Sequence, residues 1–209
     1  GFKAVFGTTN PTLPLQAGGN IIHGNATREN WEIVCPKKKD DEIYIIGNPP
    51  YLGSSMQNAL QKQDMALVFK GFSNYKNLDY IAAWFIKGAY YIQNHNAQFA
   101  FVSTNSICQG EQVALLWPNI FDKNLEIGFA HTSFKWNNNA KANAGVTVII
   151  VGIRNDGVKT QKYIFNENSK FVVNNINAYL ANAHNIIVEK RSKHISQLPQ
   201  MVSGNKPVD

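Results

Sequence analysis

The chain has 209 residues, 44% of them hydrophobic, and a mean hydropathy of −0.26. These values are typical of a globular domain, and no apolar run approaches the roughly 20 residues of a membrane-spanning helix. Lys and Arg number 20 against 14 Asp and Glu, and the net charge of +6 favours encounters with polyanions without identifying one. The N-terminus has no secretory-signal pattern, and Cys35 and Cys108 lack metal-ligand spacing. We therefore expect a cytoplasmic protein with reduced thiols.

The first half of the chain predicts two buried strands separated by helical sequence. Residues 1–19 are rich in Gly, Pro, Thr and Asn and predict an irregular connector. The apolar, β-branched run at 43–47 is typical of a buried parallel strand. Residues 52–76 have some helical spacing, and 78–92 are more clearly helical because apolar residues recur every three or four positions. A second buried strand is predicted at 98–104.

The second half predicts a further helix and two more strands. The helix begins at Gln109-Gly110-Glu111 and is ended or kinked by Pro118. Strands are predicted at 125–130 and 146–153, with a long polar loop at 134–143 between them. Strands that alternate with helices predict an α/β sheet, parallel through its middle. Because no helix separates the last two strands, we expect them to form an antiparallel pair at one edge.

The sequence Asn48-Pro49-Pro50-Tyr51, hereafter the Asn-Pro-Pro-Tyr motif, directly follows the first predicted strand. The carboxyl end of a strand is where α/β sheets bind their ligands. The two prolines fix the backbone and remove two N–H donors, so a carbonyl of this turn can accept a hydrogen bond from outside. Asn48 adds a side-chain carbonyl, and two such acceptors could hold both hydrogens of one amino group, with Tyr51 as a flat face for its ring. The alternative is a proline-stiffened turn with an exposed tyrosine.

This motif resembles the catalytic signature of amino-directed methyltransferases that use S-adenosylmethionine. The chain is most similar to the N6-adenine DNA methyltransferase region of large single-chain type II restriction–modification enzymes. Some RNA and protein-glutamine methyltransferases share the motif, but residues 101–110 and the loop from Phe134 favour the DNA enzymes. The resemblance implies a partial class I (Rossmann-like) sheet, mainly parallel with an antiparallel edge strand. The similar stretches are Asn20 to Ala26, Gly47 to Ser55, Leu78 to Gly88, Phe101 to Gly110, His131 to Asn139 and Gly145 to Asn155.

The resemblance implies roles for the residues of the motif. Asn48 and the carbonyl of Pro49 would accept hydrogen bonds from the adenine amino group, and Pro50 would complete the rigid turn. Tyr51 would stack on an adenine flipped out of the double helix. Flipping costs a few kcal/mol, and stacking contributes roughly 1–3 kcal/mol per aromatic side chain.

Two further site residues follow from the resemblance. Phe134 is the candidate for the second stacking aromatic, with Trp136 next, and the alternative is an aromatic that packs back onto the domain. Asn25 stands where the family often has an acidic residue near the methionine end of the cofactor. A plain turn residue explains Asn25 equally well.

The resemblance also implies a domain organisation. A glycine-rich cofactor loop should precede the motif, but Gly18-Gly19 follows no apolar strand, so we expect the cofactor-binding half to lie outside this chain and the isolated chain to be inactive. We divide the chain into a connector (1–19), the catalytic, target-base half (20–158) and a transition to a target-recognition region (159–209). The expected partner is double-stranded DNA, and no metal is expected. The alternatives are an RNA or protein-glutamine methyltransferase and a non-catalytic nucleic-acid-binding module.

Overall fold

The computed structural model describes residues 19–136 and 146–190, with side chains for 19–135 and 147–190. Its centre is a sheet with the strand order β1-β2-β4-β3-β5-β6. The predicted connector therefore lies, apart from Gly19, outside the described residues. The strands are β1 (Ile43–Gly47), β2 (Ala97–Thr104), β3 (Leu125–Trp136), β4 (Val146–Asn155), β5 (Lys162–Phe165) and β6 (Lys170–Val173).

The strand directions confirm the predicted α/β class. β1 is parallel to β2, and β3 is parallel to β5. β4 is antiparallel to both of its neighbours, and β6 is antiparallel to β5. Four of the described strands therefore share one direction, and an antiparallel strand, β6, lies at an edge. The pair formed by β3 and β4 is antiparallel as predicted, but its predicted place at an edge is wrong because the short strands β5 and β6 extend the sheet beyond β3.

The helices include both that were predicted. The predicted helix at 78–92 is confirmed from residue 82, and the helix after Gln109 ends before Pro118, which begins a new short helix at a position that tolerates its missing N–H. In the part of the chain that the structure describes, no helix has the length and apolar character to cross a membrane. The helices are α1 (Trp31–Val34), α2 (Ala59–Val68), α3 (Ala82–Ile92), α4 (Gly110–Leu116) and α5 (Pro118–Phe121).

The core lies between α3 and the face of the sheet. Phe85 of α3 packs edge-on against Phe99 and Phe101 of β2, with ring centroids 5.8 and 5.5 Å apart, and against Trp117 at 6.2 Å. Such pairs add stabilisation beyond the apolar area they bury. Phe85 is thus a core residue. Because α3 packs along the face of the sheet, it leaves the carboxyl ends of β1 and β2 uncovered.

Candidate functional site

The Asn-Pro-Pro-Tyr motif lies at the carboxyl end of β1, where the sequence places it. Gly47, its immediate predecessor, pairs with Phe101 of β2. Pro49 is buried and Tyr51 is half-buried, whereas Asn48 is exposed. Within the described residues, no protein group forms a hydrogen bond with the carboxamide of Asn48. The turn is therefore anchored by its buried and half-buried residues and presents an exposed amide group.

The residue that follows the motif, Leu52, is held at both of its backbone groups. Its N–H donates to Oδ1 of Asp79 at 2.8 Å. Its carbonyl accepts from the N–H of Tyr80 at 2.9 Å and from Nε2 of Gln57 at 3.1 Å. Asp79 and Gln57 are only 4% and 6% exposed, so these bonds are shielded from competing water. The path of the chain out of the motif is therefore fixed from inside the domain.

Asp79 also connects this loop to three other elements. Its Oδ1 accepts from the N–H of Ile81 at 3.2 Å, at the start of α3, and its Oδ2 accepts from Oγ of Ser106 at 3.4 Å, just after β2. Its own N–H donates to Oε1 of Gln112 in α4 at 3.0 Å. We call Asp79, Gln57, Leu52 and these partners the Asp79 network. It joins the elements that surround the motif into one unit.

Phe134 lies on a strand rather than in the predicted loop. β3 continues to Trp136, and Phe134 pairs with Val148 of β4. The prediction that the loop begins at 134 is therefore wrong, because the strand's polar residues are paired across the sheet. The remainder of that loop, 137–145, lies outside the described residues. A register shift between His131 and Phe134 marks a bulge, the kind of irregularity that changes the direction of a side chain.

Phe134 and the motif lie at the same end of the sheet, where β1 and β3 reach their carboxyl ends. Val148 pairs with Thr104, three residues beyond Phe101, the partner of Gly47. Two strands separate β1 from β3, so their backbones are about 14 Å apart at a strand spacing of ~4.8 Å. The half-buried ring of Phe134 contacts His131 edge-on, with centroids 4.6 Å apart. Its stacking role stays a prediction.

Asn25 has both ends of its carboxamide engaged by protein groups. Its Oδ1 accepts from N–H and Oγ1 of Thr27 at 3.0 and 2.7 Å, and its Nδ2 donates to Oδ2 of Asp64 at 2.9 Å. This arrangement is typical of a turn residue. A role of Asn25 in cofactor binding stays a prediction.

Asp64, on α2, is the centre of a second buried group of polar residues. It is 2% exposed and accepts from Nε of Arg28 and the hydroxyl of Tyr80, both at 2.6 Å, as well as from Asn25. Burial opposes ionisation of Asp64, but the hydrogen bonds from Tyr80, Arg28 and Asn25 outweigh it and lower its pKa. Burial and the bond to Asp64 raise the pKa of Tyr80 to about 12. We call these four residues the Asp64 cluster, and it attaches the segment around Asn25 to the domain.

The cysteines are both free, Cys35 exposed and Cys108 buried. Burial raises the pKa of the Cys108 thiol, so it is not a reactive thiolate at neutral pH. Within residues 19–135 and 147–190, no cluster of three His, Cys, Asp or Glu side chains could hold a metal ion. At the carboxyl ends of β1 and β3, the motif and Phe134 contribute amide, carbonyl and aromatic groups.

Residues 1–166 match the family model described as "MmeI, DNA-methyltransferase domain". The chain belongs to this family. It is 49% identical over 205 residues to DNA methyltransferase A of Bacillus subtilis (strain 168), covering 98% of this chain and 23% of that protein. It also matches the structure of the type IIL restriction-modification enzyme MmeI in complex with DNA, with a TM-score of 0.80, 38% identity, and coverage of 94% of this chain and 27% of that one. The predicted resemblance to the DNA methyltransferases of restriction–modification enzymes is confirmed, and the chain spans about a quarter of each relative.

In this DNA-methyltransferase domain, the sequence identified the exposed motif but not the residues that hold it. Asp79 stands two residues before Ile81, whose N–H it accepts, a spacing typical of residues that precede helices. That local signal could have identified Asp79 as a helix-start residue. Nothing local points to its bond with Leu52, 27 positions away, or to Gln57.

Proposed function

We propose that this chain is the target-base half of an N6-adenine DNA methyltransferase that belongs to a restriction–modification enzyme. Its substrate is an adenine flipped out of double-stranded DNA, and its methyl donor is S-adenosylmethionine. The observation that carries the proposal is the exposed carboxamide of Asn48, which has no hydrogen-bond partner among the described residues, at the carboxyl end of β1. It stands in a proline-rigid turn whose exit at Leu52 is held by buried hydrogen bonds.

The motif offers two acceptors for one amino group. Oδ1 of Asn48 and the carbonyl of Pro49 accept the two N–H bonds of adenine N6, which draws the nitrogen lone pair out of conjugation with the ring. A nitrogen held in this way is oriented for attack before the reaction begins. Orientation of this kind supplies much of the rate in transfers that need no strong base.

Two aromatic side chains support the flipped base. Tyr51 is half-buried in the same motif as Asn48, and Phe134 lies at the same end of the sheet on β3. We propose that the adenine ring lies between them. Stacking of roughly 1–3 kcal/mol on each ring offsets an extrusion cost of a few kcal/mol.

We propose that most of the residues that bind S-adenosylmethionine lie outside the described part of the chain. The described residues contain no glycine-rich loop after a strand, and Asn25 is already bonded to Thr27 and Asp64. Among the described strands, β1 pairs only with β2, and Ile46 and Tyr44 on it are 84% and 60% exposed. An apolar strand with an open edge is suited to pairing with further strands. We propose that the sheet continues beyond the open edge of β1, and that this continuation contains the residues that bind the methyl donor.

Double-stranded DNA is the proposed partner. The net charge of +6 favours binding to a polyanion. The structure of MmeI that this chain resembles was determined in complex with DNA. DNA is therefore better supported as the substrate than RNA or protein.

The test is methyl transfer by the complete natural protein from isotopically labelled S-adenosylmethionine to duplex DNA, with the product identified by nucleoside mass spectrometry. We expect N6-methyladenine, a rate about 100- to 1000-fold lower for Asn48→Ala, and a rate about 10- to 100-fold lower for Tyr51→Ala. Tyr90→Ala, on an exposed face of α3, is the control and should transfer at the native rate. Undiminished transfer by Asn48→Ala would reject the proposed roles. Label on RNA or on protein glutamine would reject the substrate.

A further inference from the structure

We propose that Asp79 and Gln57 are positioning residues for methyl transfer. They touch neither the base nor the methyl donor, but they set the geometry of the Asn-Pro-Pro-Tyr motif through the backbone of Leu52. This inference rests on the proposed function of the motif, and its test separates the two.

The motif is a short segment whose two ends are both fixed by backbone hydrogen bonds. At its start, Gly47 is fixed by the pairing of β1 with β2. At its end, Leu52 is fixed through its N–H by Asp79 and through its carbonyl by Gln57 and the N–H of Tyr80. Between these two ends, the prolines restrict the backbone conformation of the motif. A shift of Leu52 must therefore be taken up by its direct neighbour Tyr51 and by the carbonyls of the turn.

Asp79 suits this role because one carboxylate oxygen serves two elements at once. Its Oδ1 accepts from the N–H of Leu52 and from the N–H of Ile81, so it ties the exit of the motif to the N-cap residue of α3. Asp79→Ala removes this acceptor and leaves the two backbone donors without a partner. Asp79→Asn keeps an oxygen for these donors and turns an NH2 group towards Ser106, whose hydroxyl can accept as well as donate. Comparison of the two variants distinguishes the loss of these hydrogen bonds from the loss of the negative charge.

Gln57 holds the other side of the same peptide segment. Its Nε2 donates to the carbonyls of Leu52 and Leu78, at 3.1 and 3.0 Å. Gln57→Glu conserves shape but replaces the donor with an oxygen that faces two carbonyl oxygens. Because the volume hardly changes, the expected consequence is a displaced Leu52 rather than a cavity.

A matched control lies at the opposite end of the sheet. Glu126 of β3 accepts from Nε of Arg154 at 2.8 Å and from Lys162 at 2.7 Å, and all three side chains are largely buried. Arg154 pairs with Gln98, near the start of β2, whereas the Asp79 network lies beyond its end. Glu126→Gln therefore disturbs a buried polar group of the same kind without touching the motif.

The experiment measures single-turnover methyl transfer by the complete natural protein at saturating duplex DNA and S-adenosylmethionine, together with the DNA dissociation constant. We expect the transfer rate constant to fall about 10- to 100-fold in Asp79→Ala and Gln57→Glu, with the dissociation constant near its native value. Asp79→Asn should stay within about threefold of the native rate, and Glu126→Gln should be unchanged. If Asp79→Ala does not accumulate as folded protein, Gln57→Glu carries the test.

Two results would overturn the inference. One is native transfer rates in Asp79→Ala and Gln57→Glu; the other is an equal loss of rate in Glu126→Gln. Asn48→Ala is measured in parallel. If Asn48→Ala is inactive while both positioning variants transfer normally, only this inference fails. If Asn48→Ala also transfers normally, the proposed function fails.

Discussion

The Asp64 cluster and the Asp79 network each centre on a buried aspartate, but their donors differ. Asp64 is surrounded by side-chain donors, whereas Asp79 accepts from two backbone amides, those of Leu52 and Ile81. A carboxylate that accepts hydrogen bonds from side chains holds two segments together without fixing the backbone conformation of either. A carboxylate that accepts from backbone N–H groups fixes the position of the backbone itself. The side-chain donors to Asp64 are Arg28, Tyr80 and Asn25.

The two regions meet at one residue. Tyr80 donates its hydroxyl to Asp64 and its backbone N–H to the carbonyl of Leu52. Side-chain variants of the Asp64 cluster leave that N–H in place. The comparison therefore predicts that variants of Asp64 and of the Tyr80 hydroxyl lower stability without slowing methyl transfer, whereas variants that remove the hydrogen bonds of the Asp79 network both lower stability and slow transfer.

The largest expected effect on stability is that of Asp64→Ala. It removes the acceptor of three donors at a site that is almost fully buried, and we expect the local free energy of unfolding to fall by about 3 kcal/mol. Hydrogen exchange of the amides of α2 and α3 in the complete protein measures this loss. Asp40→Ala, at an exposed position, should change it by less than ~0.5 kcal/mol. A methyl-transfer rate that falls as far as in Asp79→Ala would break the comparison.

Tyr80→Phe sharpens the comparison at the residue that the two regions share. It removes the hydroxyl bonded to Asp64 but retains the backbone bond to Leu52. We expect a loss of about 2 kcal/mol, as for a buried hydrogen bond to a charged group, with an unchanged single-turnover rate. A slow Tyr80→Phe would show that the Asp64 cluster also positions the motif.

The lowered pKa of Asp64 predicts a pH dependence of this stabilisation. A carboxyl group whose pKa is lower in the folded state contributes stability that is fully present above its unfolded-state pKa of about 3.9 and is lost as pH falls through the folded pKa. The stability difference between the native protein and Asp64→Asn should be constant above about pH 5 and shrink below about pH 4, by at most about 1.4 kcal/mol per pH unit. Urea denaturation between about pH 3 and pH 7 measures it. A difference that grows on acidification would contradict the assignment.

The smallest expected effect is that of Asn58→Ala. Asn58 and Gln61 form a reciprocal capping box at the start of α2, the helix that carries Asp64. Removing the cap should lower helix stability by about 1 kcal/mol, measured by hydrogen exchange in α2. Transfer at the native rate is expected, since the bonds to Leu52 do not involve this cap.

Elements with strong periodicity were predictable, and short or half-exposed ones were not. The apolar runs predict β1, β2 and β4 within a few residues, and the spacing of apolar residues predicts α3. β5 and β6 have only four residues each and lie largely half-buried or exposed, so their patterns are too weak to separate from loop sequence. They pair with the same sheet although they follow the boundary that we predict at residue 158.

The candidate site was predictable in the same partial way. The motif lies at the carboxyl end of β1, as its sequence context indicates. Phe134 was expected in a loop, but strand pairing with β4 places it on β3. The end of β3 contains polar residues such as Lys135 and is stabilised by pairing with β4 rather than by its own hydrophobicity. Its sequence therefore lacks the apolar pattern that would predict a strand.

The sequence by itself determined the family, the strand before the motif and the rigidity of the motif. Each depends on local features: a residue signature, an apolar run and two consecutive prolines. Only the tertiary structure decided that Asp79 and Gln57 hold the exit of the motif. The donors and acceptors of that network lie up to 33 positions apart, and a hydrogen bond between distant residues leaves no local pattern in the sequence.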